Sequence, residues 1–193
     1  FTGKNQQGLL WQNNKTGDVT YRYMNGLQQL GWVYIAQGVP TDWKIVSTLD
    51  VNGDGKPDLI SANGGANTLS VFTNNGSGSF GISSSPGVGS DPLSVTSADV
   101  NGDGRPDFIT ANFNSDTLTV LTNNGIGGFA ISGSLAVGDA PRCAITADVN
   151  LDGHPDLISA GWGGQRLVIM VKCANFLWYR QWFDLPQLFE SCW

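Results

Sequence analysis

The chain has 193 residues, 40% of them hydrophobic, which suffices for one core and is too few for two comfortable domains. Twenty-six glycines and only 13% charged residues suit an all-β chain with many tight turns better than a helical one. The formal net charge of −6 comes with no basic stripe, which excludes nucleic acid as a partner, and no apolar run approaches membrane-spanning length.

The chain opens on Phe1 rather than Met and shows no signal peptide, so a mature or truncated piece of something longer is expected. Aligning Phe1 with Val51 sets FTGKNQQGLL against VNGDGKPDLI, so the chain begins one residue inside a degenerate loop. There Lys4 and Gly8 stand where acidic residues are needed, and that loop is expected to hold no ion. Alternating runs follow at Leu9–Trp11, Val19–Met24 and Trp32–Ala36, separated by turn-forming NNKTG and NG, and then Ile45–Leu49.

Asp50 to Asp58 reads DVNGDGKPD. It returns as DVNGDGRPD from Asp99 and as DVNLDGHPD from Asp148, a spacing of 49 residues both times. Nine of the sixteen acidic residues lie in these three stretches. Side-chain oxygens at alternating positions around a turn-forming Gly make a cage for a hard cation, and calcium is the expected occupant, at about three sites. The ligands expected in the first loop are Asp50, Asn52, Asp54 and Asp58, with the backbone carbonyl of Lys56. In the second they are Asp99, Asn101, Asp103 and Asp107, with the carbonyl of Arg105. In the third they are Asp148, Asn150, Asp152 and Asp156, with the carbonyl of His154. Three carboxylates around one site repel each other without metal, so loop order is expected to depend on calcium.

EF-hand and dockerin loops share this text, but both run into a helix, whereas LISAN or FITAN follows here. After each loop come short strand-like runs: Leu59–Ala62, Thr68–Thr73, Phe80–Ser83 and Leu93–Ala98, then Phe108–Ala111, Thr117–Thr122, Phe129–Ala136 and Cys143–Ala147. Four strands in about fifty residues, without helical periodicity, mark a β-propeller blade. The expected fold is all-β: blades of four antiparallel strands in repeat units near 1–49, 50–98, 99–147 and 148–171.

With Phe80-Gly81 in the FG position and Gly138-Asp139-Ala140-Pro141 in the GAP position, the chain resembles the FG-GAP/VCBS repeat family, the calcium-loop blades also found in integrin α-subunit heads. The opening LLWQNNKTGDVTYRYMNG and the later VPTDWKIV are similar to the bacterial-type VCBS variant. The resemblance covers Phe1 to about Val171. It implies a propeller, usually of seven blades, on a secreted or cell-surface protein that binds a ligand or adhesion partner. About four units are present, where seven need roughly 340 residues, so an incomplete arc with sticky edges is expected.

Arg166–Val171 still fits the repeat, but KCANFLWYRQWFDLPQLFESCW from Lys172 does not. Two readings stay open for 172–193: a frameshifted end, or an apolar cap on the last blade.

No catalytic residues are expected. His154 is the only histidine and occupies an outward loop position held elsewhere by Lys or Arg. The aspartate pairs recur identically in every unit, as structural ion sites do rather than glycosidase carboxylates. Cys143, Cys173 and Cys192 are an odd count and define neither disulfides nor a zinc site. Trp11, Trp32, Trp43 and Trp162 are blade-packing aromatics or a sugar-stacking surface, and Trp162, in the turn GWGG, is the best exposed candidate. The expected function is a non-enzymatic, calcium-binding segment of an extracellular propeller with a protein or glycan ligand. The alternatives are a lectin-like module and a non-catalytic appendage of a polysaccharide-degrading enzyme.

Overall fold

The computed structural model describes residues 8–13, 15–25, 27–37, 39–77, 79–162, 166–172 and 178–184. The degenerate first loop lies outside them, as do Cys173, Cys192 and the last nine residues. Among the described residues every regular element is a strand. The first sheet has three: β1 (Gly8–Gln12), β2 (Val19–Asn25) and β3 (Gln28–Ala36). The second comprises β4 (Trp43–Leu49), β5 (Asp58–Asn63), β6 (Thr68–Asn74) and β7 (Phe80–Ser84). The third comprises β8 (Pro92–Ala98), β9 (Asp107–Asn112), β10 (Thr117–Asn123) and β11 (Phe129–Ala136). The fourth comprises β12 (Pro141–Ala147), β13 (Asp156–Gly161), β14 (Arg166–Lys172) and β15 (Trp178–Asp184). Every sheet is a simple antiparallel meander in sequence order.

Sheet and sequence repeat are out of phase by one strand. The repeat begins at each Asp-rich loop, whereas each four-stranded sheet begins one strand earlier, so the loop is the first hairpin inside a sheet. The aromatic-rich tail, which breaks the written pattern, supplies the outer strand of the fourth sheet: β15 pairs with β14 from Lys172↔Trp178 to Arg166↔Asp184. Antiparallel pairing uses backbone groups, and Trp, Tyr and Phe suit a pleated strand whatever the repeat prescribes.

The core lies between sheets. The central strands β5 and β9 are buried along their whole length, so both faces of each sheet are covered. One face of the second sheet (Ile60, Ala62, Leu69, Val71) packs on Val95, Phe108 and Leu121 of the third. One face of the third (Ile109, Ala111, Leu118, Val120) packs on Ala144, Leu157, Val168 and Met170 of the fourth. Phe129, which heads β11 as Phe80 of the FG pair heads β7, stacks on Phe108 with ring centroids 4.4 Å apart. The first junction is looser, with an apolar crevice lined by Val19, Ile35, Trp43, Leu59 and Phe72.

Side-chain ladders lock the turns opposite the Asp-rich loops. In the second sheet the Ser61 hydroxyl donates to Asn63 Oδ1, and Asn63 Nδ2 donates to Ser70 and Thr68. Thr110, Asn112, Thr119 and Thr117 repeat this in the third. In the fourth, Gly161, Arg166 and Val168 replace the partners, and the buried Ser159 hydroxyl has no hydrogen-bond partner.

Candidate metal centre

Each Asp-rich loop joins two antiparallel strands: β4 to β5, β8 to β9 and β12 to β13. No helix flanks it, which removes the EF-hand and dockerin alternatives. Two residues per loop have positive φ, Gly53 and Gly55 in the first and Gly102 and Gly104 in the second, and the Cβ of a larger residue at any of the four would meet open space. The glycines are there for backbone conformation, not for close packing. In the third loop Leu151 holds the first of these positions at φ 61, a strained conformation for a branched residue.

The position-1 carboxylate organises the turn. Asp50 Oδ1 accepts from the Gly53 and Asp54 N–H groups at 2.8 and 3.1 Å, and Oδ2 from Gly55 at 2.8 Å. Asp99 does the same with Gly102, Asp103 and Gly104. In the third loop Asp148 accepts from Asp152 and Gly153. Asn52, Asn101 and Asn150 each accept from the position-5 N–H, and Asp54, Asp103 and Asp152 each accept from the position-7 N–H.

The position-9 aspartates are fully buried. Asp58 Oδ2 accepts from Val51 at 3.0 Å and Oδ1 from the Asn74 N–H at 2.8 Å, tying the loop to the β6–β7 hairpin. Asp107 repeats this with Val100 and Asn123, and Asp156 accepts from Val149. This clamp is a role that sequence reasoning missed. Burial raises the pKa of Asp58 and Asp107 above the ordinary carboxylate value, opposed by those N–H groups and reinforced by the charges at positions 5 and 1. Burial also pushes Asp99 upward, but the N–H groups of Gly104, Gly102, Asp103 and Asn101 bring it below its ordinary value. Asp54 is likewise lowered, burial being outweighed by Lys56 and Asn52.

Position 7 is expected to serve through its backbone carbonyl. The side chain does more. Lys56 Nζ lies 3.1 Å from Asp54 Oδ2, and Arg105 Nη1 lies 3.5 Å from Asp103 Oδ2. Both cations also lie over a hairpin glycine: a Cβ on Gly76 would strike the Lys56 stem, and one on Gly125 the Arg105 guanidinium. His154 sits half-buried in the equivalent place.

The oxygen-only donor set fits a hard divalent cation, and the carboxylates at loop positions 1 and 5 are near enough to Asp58 and Asp107 to raise their pKa. Among the described residues, however, no three acidic, His or Cys side chains form one ion-binding group. The carboxylates are held on N–H donors.

At the opposite end of the sheets, Trp162 is 71% exposed in the turn after β13. The Arg142 guanidinium lies 4.5 Å from its ring centroid and 5.3 Å from that of Phe113 in the neighbouring sheet. Trp11 and Trp32 are exposed on the first sheet and Trp43 is half-buried beside the crevice. Cys143 is an exposed free thiol.

Sheets of four strands, each hairpinned by the same loop and packed face to face, define consecutive blades of a β-propeller. The FG-GAP-like repeat family matches residues 50–110 and again 99–159, more than half of the 193 residues. The chain belongs to the FG-GAP-like repeat family. Comparison with curated proteins finds no match. Solved propeller structures share the fold at low identity. One is BBS1N in complex with ARL6DN, soaked with lead (14% identity, TM-score 0.60, 95% of this chain and 54% of that one). Another is an Agrocybe aegerita lectin that recognises non-reducing terminal N-acetylglucosamine (19% identity, TM-score 0.55, 95% and 53%). The chain spans about half the length of both, as an incomplete arc does.

Proposed function

We propose that this chain is a calcium-stiffened, non-enzymatic segment of an extracellular β-propeller that presents a ligand-binding rim. One observation carries the reading: the same loop is built three times on the same N–H scaffold, with its ninth residue buried as a charged anchor. An uncompensated carboxylate is costly to bury, and a divalent ion beside it offsets that cost. The residues that would hold calcium are the three sets at positions 1, 3, 5 and 9, with the position-7 carbonyl. The ion would do no chemistry beyond drawing these oxygens together. Extracellular modules bind calcium at roughly 10⁻⁴–10⁻³ M, which suits a compartment rich in it. Isothermal titration is expected to find about three sites in that range, and chelation to lower the melting temperature. A chain that melts identically with calcium and with chelator, and gives no binding heat, refutes the assignment.

The ligand is a protein or a glycan. Both kinds of partner are named for the neighbours, ARL6DN for BBS1N and N-acetylglucosamine for the lectin. The exposed indole of Trp162, one face covered by Arg142, favours the glycan as a second reading, because a flat ring beside hydrogen-bond donors suits a sugar. Glycan-array binding that disappears in Trp162→Ala supports it. Binding that persists in this variant removes Trp162 from the site.

A further inference from the structure

At the end of the sheets opposite the Asp-rich loops, the third and fourth sheets meet at a cluster of two rings and one cation. Phe113 and Trp162 are 49 residues apart and occupy the same turn of successive sheets. Phe113 N–H donates to the Asp91 carbonyl at 2.9 Å, and Trp162 N–H to that of Ala140 at 3.1 Å. Arg142, near the start of β12, reaches both rings, its guanidinium carbon 5.3 Å from the Phe113 centroid and 4.5 Å from that of Trp162. The cluster lies at a junction that has a blade on each side of it within the chain. At the junction before it, Gly64, Leu93 and Phe113 hold the equivalent positions, so the sequence puts no cation among them.

Arg142 is exposed and, among the described residues, has neither an ion pair nor a hydrogen bond from its side chain, whereas Lys56 and Arg105 each lie against an aspartate. Rings hold a guanidinium by cation–π attraction, but they do not satisfy the in-plane N–H groups that suit a planar anion with two oxygens. The fourth sheet also lacks an acid that its neighbours carry. Asp42 Oδ2 accepts from the Gly65 N–H at 2.8 Å, and Asp91 Oδ2 from Asn114 Nδ2 at 3.4 Å. Forty-nine residues after Asp91 stands Ala140, two residues before Arg142. The backbone there keeps its shape, with φ 51 against 55 at Asp91. Aspartate tolerates that left-handed conformation better than alanine, so Ala140 carries strain that an aspartate would relieve. What alanine gains at this place is the absence of a negative charge close to Arg142. Asp116, whose Oδ1 accepts from the Ala140 N–H at 2.8 Å, and Asp139 form no ion pair with Arg142.

We propose that this junction binds a glycan that bears a carboxylate, the Arg142 guanidinium pairing with the acid through parallel N–H bonds and the Trp162 ring lying against the sugar. This rests on the glycan reading given above for Trp162 and names the class of sugar it takes. A sugar acid carries an apolar ring face and a planar anion in one residue, and the cluster sets an indole and an unpaired guanidinium side by side. An acidic peptide would satisfy the guanidinium but leave the indole without a stacking partner.

An array that pairs uronate- and sialate-bearing oligosaccharides with their carboxyl-reduced, neutral forms tests this on the whole chain in calcium buffer. Acidic members are expected to bind, and the reduced forms to bind about 10- to 100-fold more weakly, the range that a charge-assisted pair supplies. Arg142→Gln is expected to bring the acidic members down to the level of the reduced ones, with circular dichroism unchanged because the side chain is exposed. Ala140→Asp restores the residue type of Asp42 and Asp91, so it is expected to melt no lower than the unaltered chain and yet to bind acidic glycans about 10-fold more weakly. Neutral glycans bound as tightly as acidic ones, and lost only in Trp162→Ala, would leave the glycan reading standing and overturn this one. Acidic-glycan binding that survives Arg142→Gln, binding of polyglutamate in place of glycans, or binding of no member of the array likewise overturns it.

Discussion

Asn123 ties one Asp-rich loop to the next, and replacing it with Ala tests that tie. Its Nδ2 donates to the Val51 carbonyl of the preceding loop at 2.9 Å and to Pro106 at 3.0 Å, while its Oδ1 accepts from Gly125 at 2.8 Å. Asn74 makes the equivalents of the last two, to Pro57 and from Gly76, and the loop that would receive the equivalent of the first lies outside the described residues. Each bond contributes about 1 kcal/mol net, and a buried carbonyl left without a donor costs more. With three such bonds, Asn123→Ala should therefore cost about 3 kcal/mol. At about 2–4 °C per kcal/mol for a chain of this size, Asn123→Ala lowers the melting temperature by about 6–12 °C. Denaturant titrations of this variant and the unaltered chain, with and without calcium, provide the measurement. A loss of about 2 kcal/mol, what the bonds to Pro106 and from Gly125 alone are worth, would show that the bond between loops contributes nothing.

Phe108→Ala removes a fully buried ring and its stack on Phe129, and chemical denaturation should record a loss of about 3–5 kcal/mol. Gly102→Ala meets no neighbour but forces a Cβ onto a backbone at φ 80, so a loss of about 1–2 kcal/mol is expected; no loss would remove the conformational argument. In calcium-free protein, carbon-13 carboxyl titration should find Asp107 protonating above the ordinary value and Asp99 below it. Asp107, raised by burial, contributes stability that is present below the unfolded value and lost as pH rises through the folded one. Asp99, lowered by its N–H donors, contributes stability that is present above the unfolded value and lost as pH falls through the folded one. The reverse order of titration would contradict both assignments.

Much of the architecture could be read from the chain because alternation and turn chemistry repeat three times over: Thr68–Thr73 and Thr117–Thr122 became β6 and β10 with one residue added to each. The phase of the sheets could not be read, since a repeat can be cut anywhere while hydrogen bonding fixes where a sheet begins. β15 escaped because Trp178–Asp184 has the propensity of a strand but none of the repeat's letters. At the loops, residue type and order announced the oxygen donors. The two N–H bonds that hold Asp58 come from residues 7 before and 16 after it, a closure that only the folded hairpins create. The pairing of Lys56 with Asp54 was likewise hidden, because a residue expected to serve through its carbonyl left its side chain unconsidered.

That pairing bears on the calcium uptake proposed for the first two loops. Lys56 and Arg105 are tethered counter-charges already parked on the position-5 carboxylates, Asp54 and Asp103, so a divalent ion entering either loop must evict a resident. Uptake there is an exchange, weakened by whatever the resident was worth, about 0–1 kcal/mol for so exposed a pair. The evicted ammonium or guanidinium, which already lies over Gly76 or Gly125, then turns from the carboxylate to solvent, and the rim of a filled blade displays an unpaired positive charge that the empty blade keeps neutralised.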